Sequence, residues 1–278
     1  MHSKASLNLW LIAPAALMVA IFFLYPLAFS LYSAVSLDDG SLTFVHLVKA
    51  FELYSNDMLF TVIIVLSSVV ILAILSITIA ALITLSPFRS IVTIMSFLYR
   101  LPLFIPFIVT AQMMRTFLAK NGLMNNAFVA SGLMTPMDTI SFLGFSGIII
   151  TFVWKQLAFS TLLLTGAMAA LDDSQIRAAR NLGASRLSIL WQIILPQVAP
   201  TLAVAMVLST VTMMSVLSVP LMIGTGTPTM ISADMAFRVN SYGDYSVANA
   251  LGLVSYLICA GLAWFYLRQS LKDKGGIA

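Results

Sequence analysis

Apolar residues run along the chain in six long blocks, at about 9–35, 58–85, 101–118, 144–170, 199–222 and 245–267, with short polar breaks between them. An α-helix needs roughly 20 predominantly apolar residues to cross a hydrocarbon layer about 30 Å thick. The pattern therefore predicts six transmembrane helices in a single all-α domain over residues 1–278, without tandem repeat or low-complexity segment. The third block is the shortest. Pro102 and Pro106 at its start predict a kinked or partly unwound entry. The first block, Leu9 to Val35, exceeds the roughly 7–15 apolar residues of a signal-peptide core. It is expected to remain in place as the first span.

Composition agrees with the pattern. Of 278 residues, 60% are hydrophobic and 9% charged, and mean hydropathy is +1.02. A soluble domain carries about 25% charged residues, so lipid is expected to cover much of this surface. The formal charge of +4 comes from scattered basic residues with no polybasic run, which argues against a nucleic-acid partner. The single cysteine, Cys259, excludes an intrachain disulfide and reads as packing.

Orientation follows from the basic residues, which concentrate on the cytoplasmic side of a membrane. With the N-terminus inside, the inner segments hold Lys4, Arg89, Arg100, Arg177, Arg180, Arg186, Arg268, Lys272 and Lys274. The outer segments hold Lys49, Lys120 and Arg238, with Arg115 near a helix end, while Asp38, Asp39, Glu52, Asp57, Asp138, Asp234 and Asp244 lie outside. A multi-pass protein with both termini in the cytoplasm is expected.

The most polar inner loop is 171–198, LDDSQIRAARNLGASRLSILWQIILPQV. Two short helices fit it, one reaching about Asn181 and another from about Ser185 to Ile194. Gly183 stands where a helix C-terminus favours a left-handed residue, and Ser185 suits an N-cap. Pro196 falls at the entry to the fifth span, where its missing N–H is harmless. The expected product is a compact helical elbow.

In this loop Ala178, Ala179, Gly183, Ile193, Leu195 and Pro196 share one spacing: Ala-Ala, three residues, Gly, nine residues, Ile, one residue, Leu-Pro. That spacing resembles the cytoplasmic signature loop of permease subunits of binding-protein-dependent ABC importers. Arg177 takes the place of the signature's leading Glu, and Asp172 or Asp173 could supply that charge. Arg100-Leu101-Pro102, Ile105-Pro106, Asn121-Gly122-Leu123-Met124-Asn125 and Trp154 extend the resemblance to maltose- and polyamine-type permeases, over roughly residues 60–270.

The resemblance implies a type I ABC importer permease in a bacterial cytoplasmic (inner) membrane. Its coupling loop would dock on an ATPase through Arg177, Ala178, Ala179, Gly183, Ala184, Ile193, Leu195 and Pro196. It implies two ATP-binding cassette subunits, a second permease (identical or different) and an extracytoplasmic solute-binding protein. Cofactors are expected to be absent from this chain, with ATP and Mg on the partner subunits. Leu182, where sugar permeases commonly place Asp, leans the solute toward a polyamine, phosphonate or other small organic ion, with a sugar as the alternative.

A few polar residues fall inside spans. A charge at the bilayer centre costs on the order of 2.5–3.5 kcal/mol on insertion scales and usually faces the bundle interior. Gln112, Lys155 and Gln156 read either as lining a solute path or as structural contacts between helices. Arg115 reads as an interface anchor. The segment Gly224-Thr225-Gly226-Thr227-Pro228 reads as a turn or as an outer gate.

Other classes fit less well. None of the lysines sits in a G-x-x-x-x-G-K-[ST] phosphate loop. G-x-S-x-G and H-E-x-x-H are absent, and His2 and His46 lie outside the spans. A secondary transporter would be expected to bury acids in broken helices, whereas the Asp and Glu residues here all read as loop positions. No metal site is expected.

Overall fold

The computed structural model describes residues 12–37 and 39–275. Lys4, Leu9–Leu11, Asp38 and both chain termini, which entered the expectations above, lie outside those residues. Helices follow one another along the chain: α1 Ile12–Ala34, α2 Val45–Leu85, α3 Arg89–Leu98, α4 Phe107–Leu118, α5 Leu123–Ala130 and α6 Phe145–Ala169. Then come α7 Asp173–Asn181, α8 Arg186–Ser215, α9 Ser218–Ile223, α10 Ile231–Phe237 and α11 Tyr245–Gly275. The strand-like pairing among the described residues is an isolated bridge between Ser36 and Leu42. The protein is an all-α membrane protein.

Five helices, α1, α2, α6, α8 and α11, are long and apolar enough to span a membrane, and a bent pair supplies a sixth. That pair is the third block. Its first arm, Arg89–Phe104, consists of α3 and a 3-10 turn at Leu101–Phe104; the chain then bends by 110° into Phe107–Ala130. Pro102 and Pro106 cannot donate backbone hydrogen bonds, and Ile105 between them is extended. The kink expected from the sequence is thus a complete break.

Prolines also explain where the remaining boundaries depart from expectation. Pro196 does not open the fifth span, and the elbow's second helix does not stop at Ile194. The helix runs unbroken from Arg186 to Ser215. A π turn at Leu190–Ile194, closed by the Leu195 N–H on the Leu190 carbonyl, precedes the proline. Widening the turn relieves the clash between a proline ring and the carbonyl four residues back. α1 uses the same device, with a π turn at Ala20–Leu24 just ahead of Pro26. At the other end, the fifth span stops at Ser215 rather than about 222. Pro220 would clash with the Val216 carbonyl in a continuing helix, and Val216 is extended instead. α9 then forms a separate short helix. α2 begins at Val45, well before its apolar block, so Glu52 and Asp57 are helical and not loop residues.

The chain folds as two compact units. One comprises residues 56–233 and 258–278. Its larger core joins Ile64 and Leu72 of α2, Phe152 of α6, Met213 of α8 and Val219 and Ile223 of α9. α9 packs on α4 and α6, and the Gly144 N–H donates to the Ile223 carbonyl at 2.8 Å. Asp57 and Thr61 of α2 grip the stretch before α10: Asp57 Oδ1 accepts the Thr229 N–H at 2.5 Å and Thr61 Oγ1 the Ile231 N–H at 3.0 Å.

The other unit comprises residues 1–55 and 234–257. Ser30 donates to Asn249 Oδ1 at 2.8 Å, and Lys49 Nζ meets Asp244 Oδ2 at 2.9 Å. Arg238 donates to the Tyr54 hydroxyl and lies 5.1 and 5.0 Å from the Tyr54 and Tyr242 ring centroids. Burial raises the Asp244 carboxyl, but the Lys49 hydrogen bond, the Val247 N–H and the charges of Lys49 and Arg238 outweigh it, leaving the group below the usual carboxylate range.

Candidate functional site

The elbow at 171–198 is fixed by its own caps. Asp172 accepts from the Ser174 N–H at 2.8 Å and the Ser174 hydroxyl at 2.6 Å, which starts α7. Those two bonds, with the Arg177 charge nearby, hold the Asp172 carboxyl below its ordinary range despite a small opposing effect of burial. At the other end Gly183 has φ +80°. The Ala184 N–H reaches the Ala179 carbonyl at 3.0 Å and the Gly183 N–H reaches Arg180 O at 2.9 Å. This pair of bonds is a Schellman closure, and Ala179 and Ala184 pack into the same apolar cluster beside it. Ser185 then accepts the Ser188 N–H at 3.1 Å and starts α8.

The spacing of the signature residues now has a physical account. Ile176, Ala179, Ala184, Ile193 and Leu195 face a second core built on Ala80, Ala81, Leu164 and Met168. Gln197 clips the elbow together by donating to Gln175 Oε1 at 3.0 Å and to the Ile193 carbonyl at 2.8 Å. Arg177, Ala178, Gly183 and Pro196 are exposed. Leu182, 89% exposed, stands at the turn as the elbow's most prominent apolar side chain. The expected coupling residues therefore divide into an inner set that anchors the elbow and an outer set that a partner could touch. Arg177 neighbours Asp172, whose carboxylate is already committed to the N-cap. The Asp173 side chain lies outside the described residues.

The three polar residues of the expected solute path do not form one cluster. Gln112 is exposed on α4 and lines a groove of about 670 Å³ with Met114, Phe117, Ile150 and Trp154. Neither Lys155 nor Gln156 lines this groove. Both are buried on α6, at 9% and 6% exposure. Lys155 Nζ donates to the Pro102 carbonyl at 2.5 Å and lies 5.3 Å from the Phe107 ring centroid. Arg115 is exposed in the last turn of α4.

Two features escaped the sequence reading. Asp57, read as a loop acid, is a buried acceptor for a backbone amide. Lys155, left open between a path residue and a structural contact between helices, serves backbone carbonyls at the break in the third span, a partner the sequence does not name. A signal for the second existed: two prolines inside a span release carbonyls that need a donor, and Lys155 is the one lysine inside a predicted span. Among the described residues no group of three His, Cys, Asp or Glu could hold a metal ion.

Residues 5–270 match the family described as binding-protein-dependent transport system inner membrane component. Among curated proteins, the chain is 31% identical over 128 residues to the trehalose/maltose transport system permease protein MalF of Thermococcus litoralis, covering 45% of this chain and 43% of that one. It is 26% identical over 148 residues to the sulfoquinovosyl glycerol transport system permease protein SmoG of Agrobacterium fabrum, covering 47% and 48%. A probable ABC transporter permease protein of Sinorhizobium fredii is 31% identical over 134 residues, 48% of this chain and 23% of that one. These alignments span less than half the length of each relative. Among solved structures, a chain of a bacterial alginate ABC transporter, in complex with an alginate pentasaccharide-bound periplasmic protein, superposes with TM-score 0.83 at 21% identity over 98% of this chain and 96% of that one.

Proposed function

The chain belongs to the family of binding-protein-dependent transport system inner membrane components, and from that premise we propose that it forms half of a translocation pathway for a saccharide. It has the type I ABC importer permease fold, and it is a transport subunit rather than a catalytic one. In this reading two ATP-binding cassette subunits supply the motor and bind ATP and Mg. A second permease completes the pathway, and an extracytoplasmic protein delivers the sugar. The membrane is the bacterial cytoplasmic one, with both termini and the elbow inside.

One observation carries the coupling role. The signature spacing builds a rigid, twice-capped elbow whose interior is anchored and whose tip presents Leu182 outward. Such a shape transmits a push without performing chemistry.

The solute follows from the relatives and the groove together. Two of the relatives above carry saccharide names. The groove offers the rings of Trp154 and Phe117 with one amide, Gln112. Its volume lies in the range of about 300–1,000 Å³ common to ligand sites, and a largely apolar wall with few polar groups is their usual composition. Aromatic faces suit the C–H side of a sugar, and Gln112 suits a hydroxyl. The lean toward a small organic ion rested on Leu182. That residue stands exposed on the elbow, away from the groove that Gln112 and Trp154 line, so it carries little weight for the solute beside the relatives' names.

The reading is tested by replacing Leu182 with Cys in the complete transporter. The cysteine should crosslink to an ATP-binding subunit and resist membrane-impermeant maleimide added to intact cells. Labelling from outside would overturn the orientation and the coupling role with it. Uptake of labelled oligosaccharide by reconstituted transporter tests the solute, with transport of polyamine alone as the opposing result.

A further inference from the structure

Lys155 brings a positive charge into the apolar layer, and its surroundings say what the charge is for. Among the described residues its hydrogen-bond partners are backbone carbonyls and not carboxylates. Its ammonium donates to the Pro102 carbonyl at 2.5 Å and points to the Leu103 carbonyl at 3.5 Å. Both oxygens belong to the last turn of the first arm of the broken third span. A helix leaves its final carbonyls short of intrahelical partners; here the Pro102 carbonyl accepts a long bond from the Ile105 N–H at 3.3 Å and the ammonium adds a second, shorter one. Within lipid no water makes up the shortfall, and each unsatisfied group costs several kcal/mol. The helix dipole also places partial negative charge at that terminus, which favours a cation. The Phe107 ring, 5.3 Å from Nζ, covers a further side of the ammonium from the first turn of the second arm. One side chain on α6 thus touches both arms of a 110° break.

We propose that Lys155 is a positioning residue: it pins the broken third span to α6 and so fixes the angle at which α4 leaves the break. That angle matters because the groove is walled by α4 and α6 together. Gln112 and Phe117 come from α4, Ile150 and Trp154 from α6. Trp154 directly precedes Lys155 in the chain. The pin therefore sets the separation between the amide and the indole without touching anything in the groove. The effect on solute rests on the reading of this groove as the saccharide path; the effect on α4 does not.

The test uses the complete transporter with Lys155→Arg, Lys155→Gln and Lys155→Met, and spin labels at the exposed positions Ile94 on α3 and Ile108 on α4. Wild type and Lys155→Arg should give one narrow distance distribution. Lys155→Met should broaden it and raise the transport KM for saccharide about ten-fold, the worth of one buried hydrogen bond to a charged group. Lys155→Gln keeps an amide donor and should fall between them; it carries the test if the Met variant does not insert. Neutral and anionic saccharides should suffer alike, because the ammonium meets carbonyls and not solute. An unchanged distribution in both the Met and Gln variants would overturn the pin. So would a loss confined to anionic solute with the distance intact, which would make Lys155 a solute contact. If wild type moves no saccharide, the solute reading fails and the distance distributions still decide the pin.

Discussion

Replacing Gly183 probes the elbow most directly. At φ +80° the position lies in the left-handed region, and a Cβ placed there meets nothing within 4 Å. For Gly183→Ala the effect is therefore purely conformational. An L-residue in that region costs about 1–2 kcal/mol, and the smaller entropy of the unfolded alanine chain returns about 0.4–1 kcal/mol. A net penalty of about 1 kcal/mol shifts the closed elbow's population roughly five-fold. Gly183→Asn should be milder, since Asn tolerates this conformation. Gly183→Pro is different in kind. Proline holds φ near −65° and lacks the N–H that now reaches the Arg180 carbonyl at 2.9 Å. Both bonds of the Schellman closure should be lost, and Leu182 should leave its place. Insertion of the spans does not depend on this turn. The assay is ATP hydrolysis by the reconstituted transporter with and without solute-loaded binding protein, beside thermal unfolding of the purified complex. The expected order of coupling is wild type, Asn, Ala, Pro, with Pro abolishing the response. Normal coupling in Gly183→Pro, or an Ala variant as defective as the Pro one, would refute the reasoning.

Other outcomes follow from the same geometry. Asp57→Ala leaves the Thr229 N–H without its acceptor and should destabilise the protein by about 1–3 kcal/mol. Asp57→Asn keeps an acceptor oxygen and should recover much of that in a detergent melt; equal losses would discount the hydrogen bond. Asp244 titrates below the usual 3.8 in the folded protein, so its contribution is present above that pH and is lost as pH falls through the folded value. The melting difference between wild type and Asp244→Asn should therefore close as pH drops below 3.8, and a gap that widens instead would contradict the Lys49–Asp244–Arg238 arrangement. The purified chain alone, lacking a phosphate loop, should hydrolyse no ATP; uptake by it under a proton or sodium gradient would favour a secondary transporter.

What could be read from sequence divides along a physical line. Apolar blocks located the spans because burial in lipid is decided by composition over about 20 residues. The elbow was legible because its determinants are local: a left-handed Gly and a capping Ser act within a few residues of themselves, and the Asp172 cap, which the structure adds, acts over the same short range. Proline was half legible. Its missing N–H and crowded ring predict a kink at Pro102 and Pro106, whereas Pro196 reads as a harmless helix entry and instead falls inside a helix, so the same ring meets more than one resolution. At Pro196 the helix widens into a π turn and continues, because the segment is tied on both sides, by Gln197 to Gln175 and by Ile193 and Leu195 to the core. At Pro102 and Pro106 two prolines four residues apart leave no room for one wide turn, and the chain breaks by 110°. A break inside lipid is tolerable only with a donor for the released carbonyls. That donor, Lys155, lies 53 residues away in sequence, so no window along the chain connects it with the prolines. The same holds for Asp57 and Thr229, 172 residues apart. Local chemistry announces itself in sequence, whereas a polar group that answers a distant backbone looks like a functional residue until the fold supplies its partner. Lys155 shows how far this goes. Read alone, a buried lysine in a transporter invites a role in the solute path; placed in the structure, it answers the demand that Pro102 and Pro106 create.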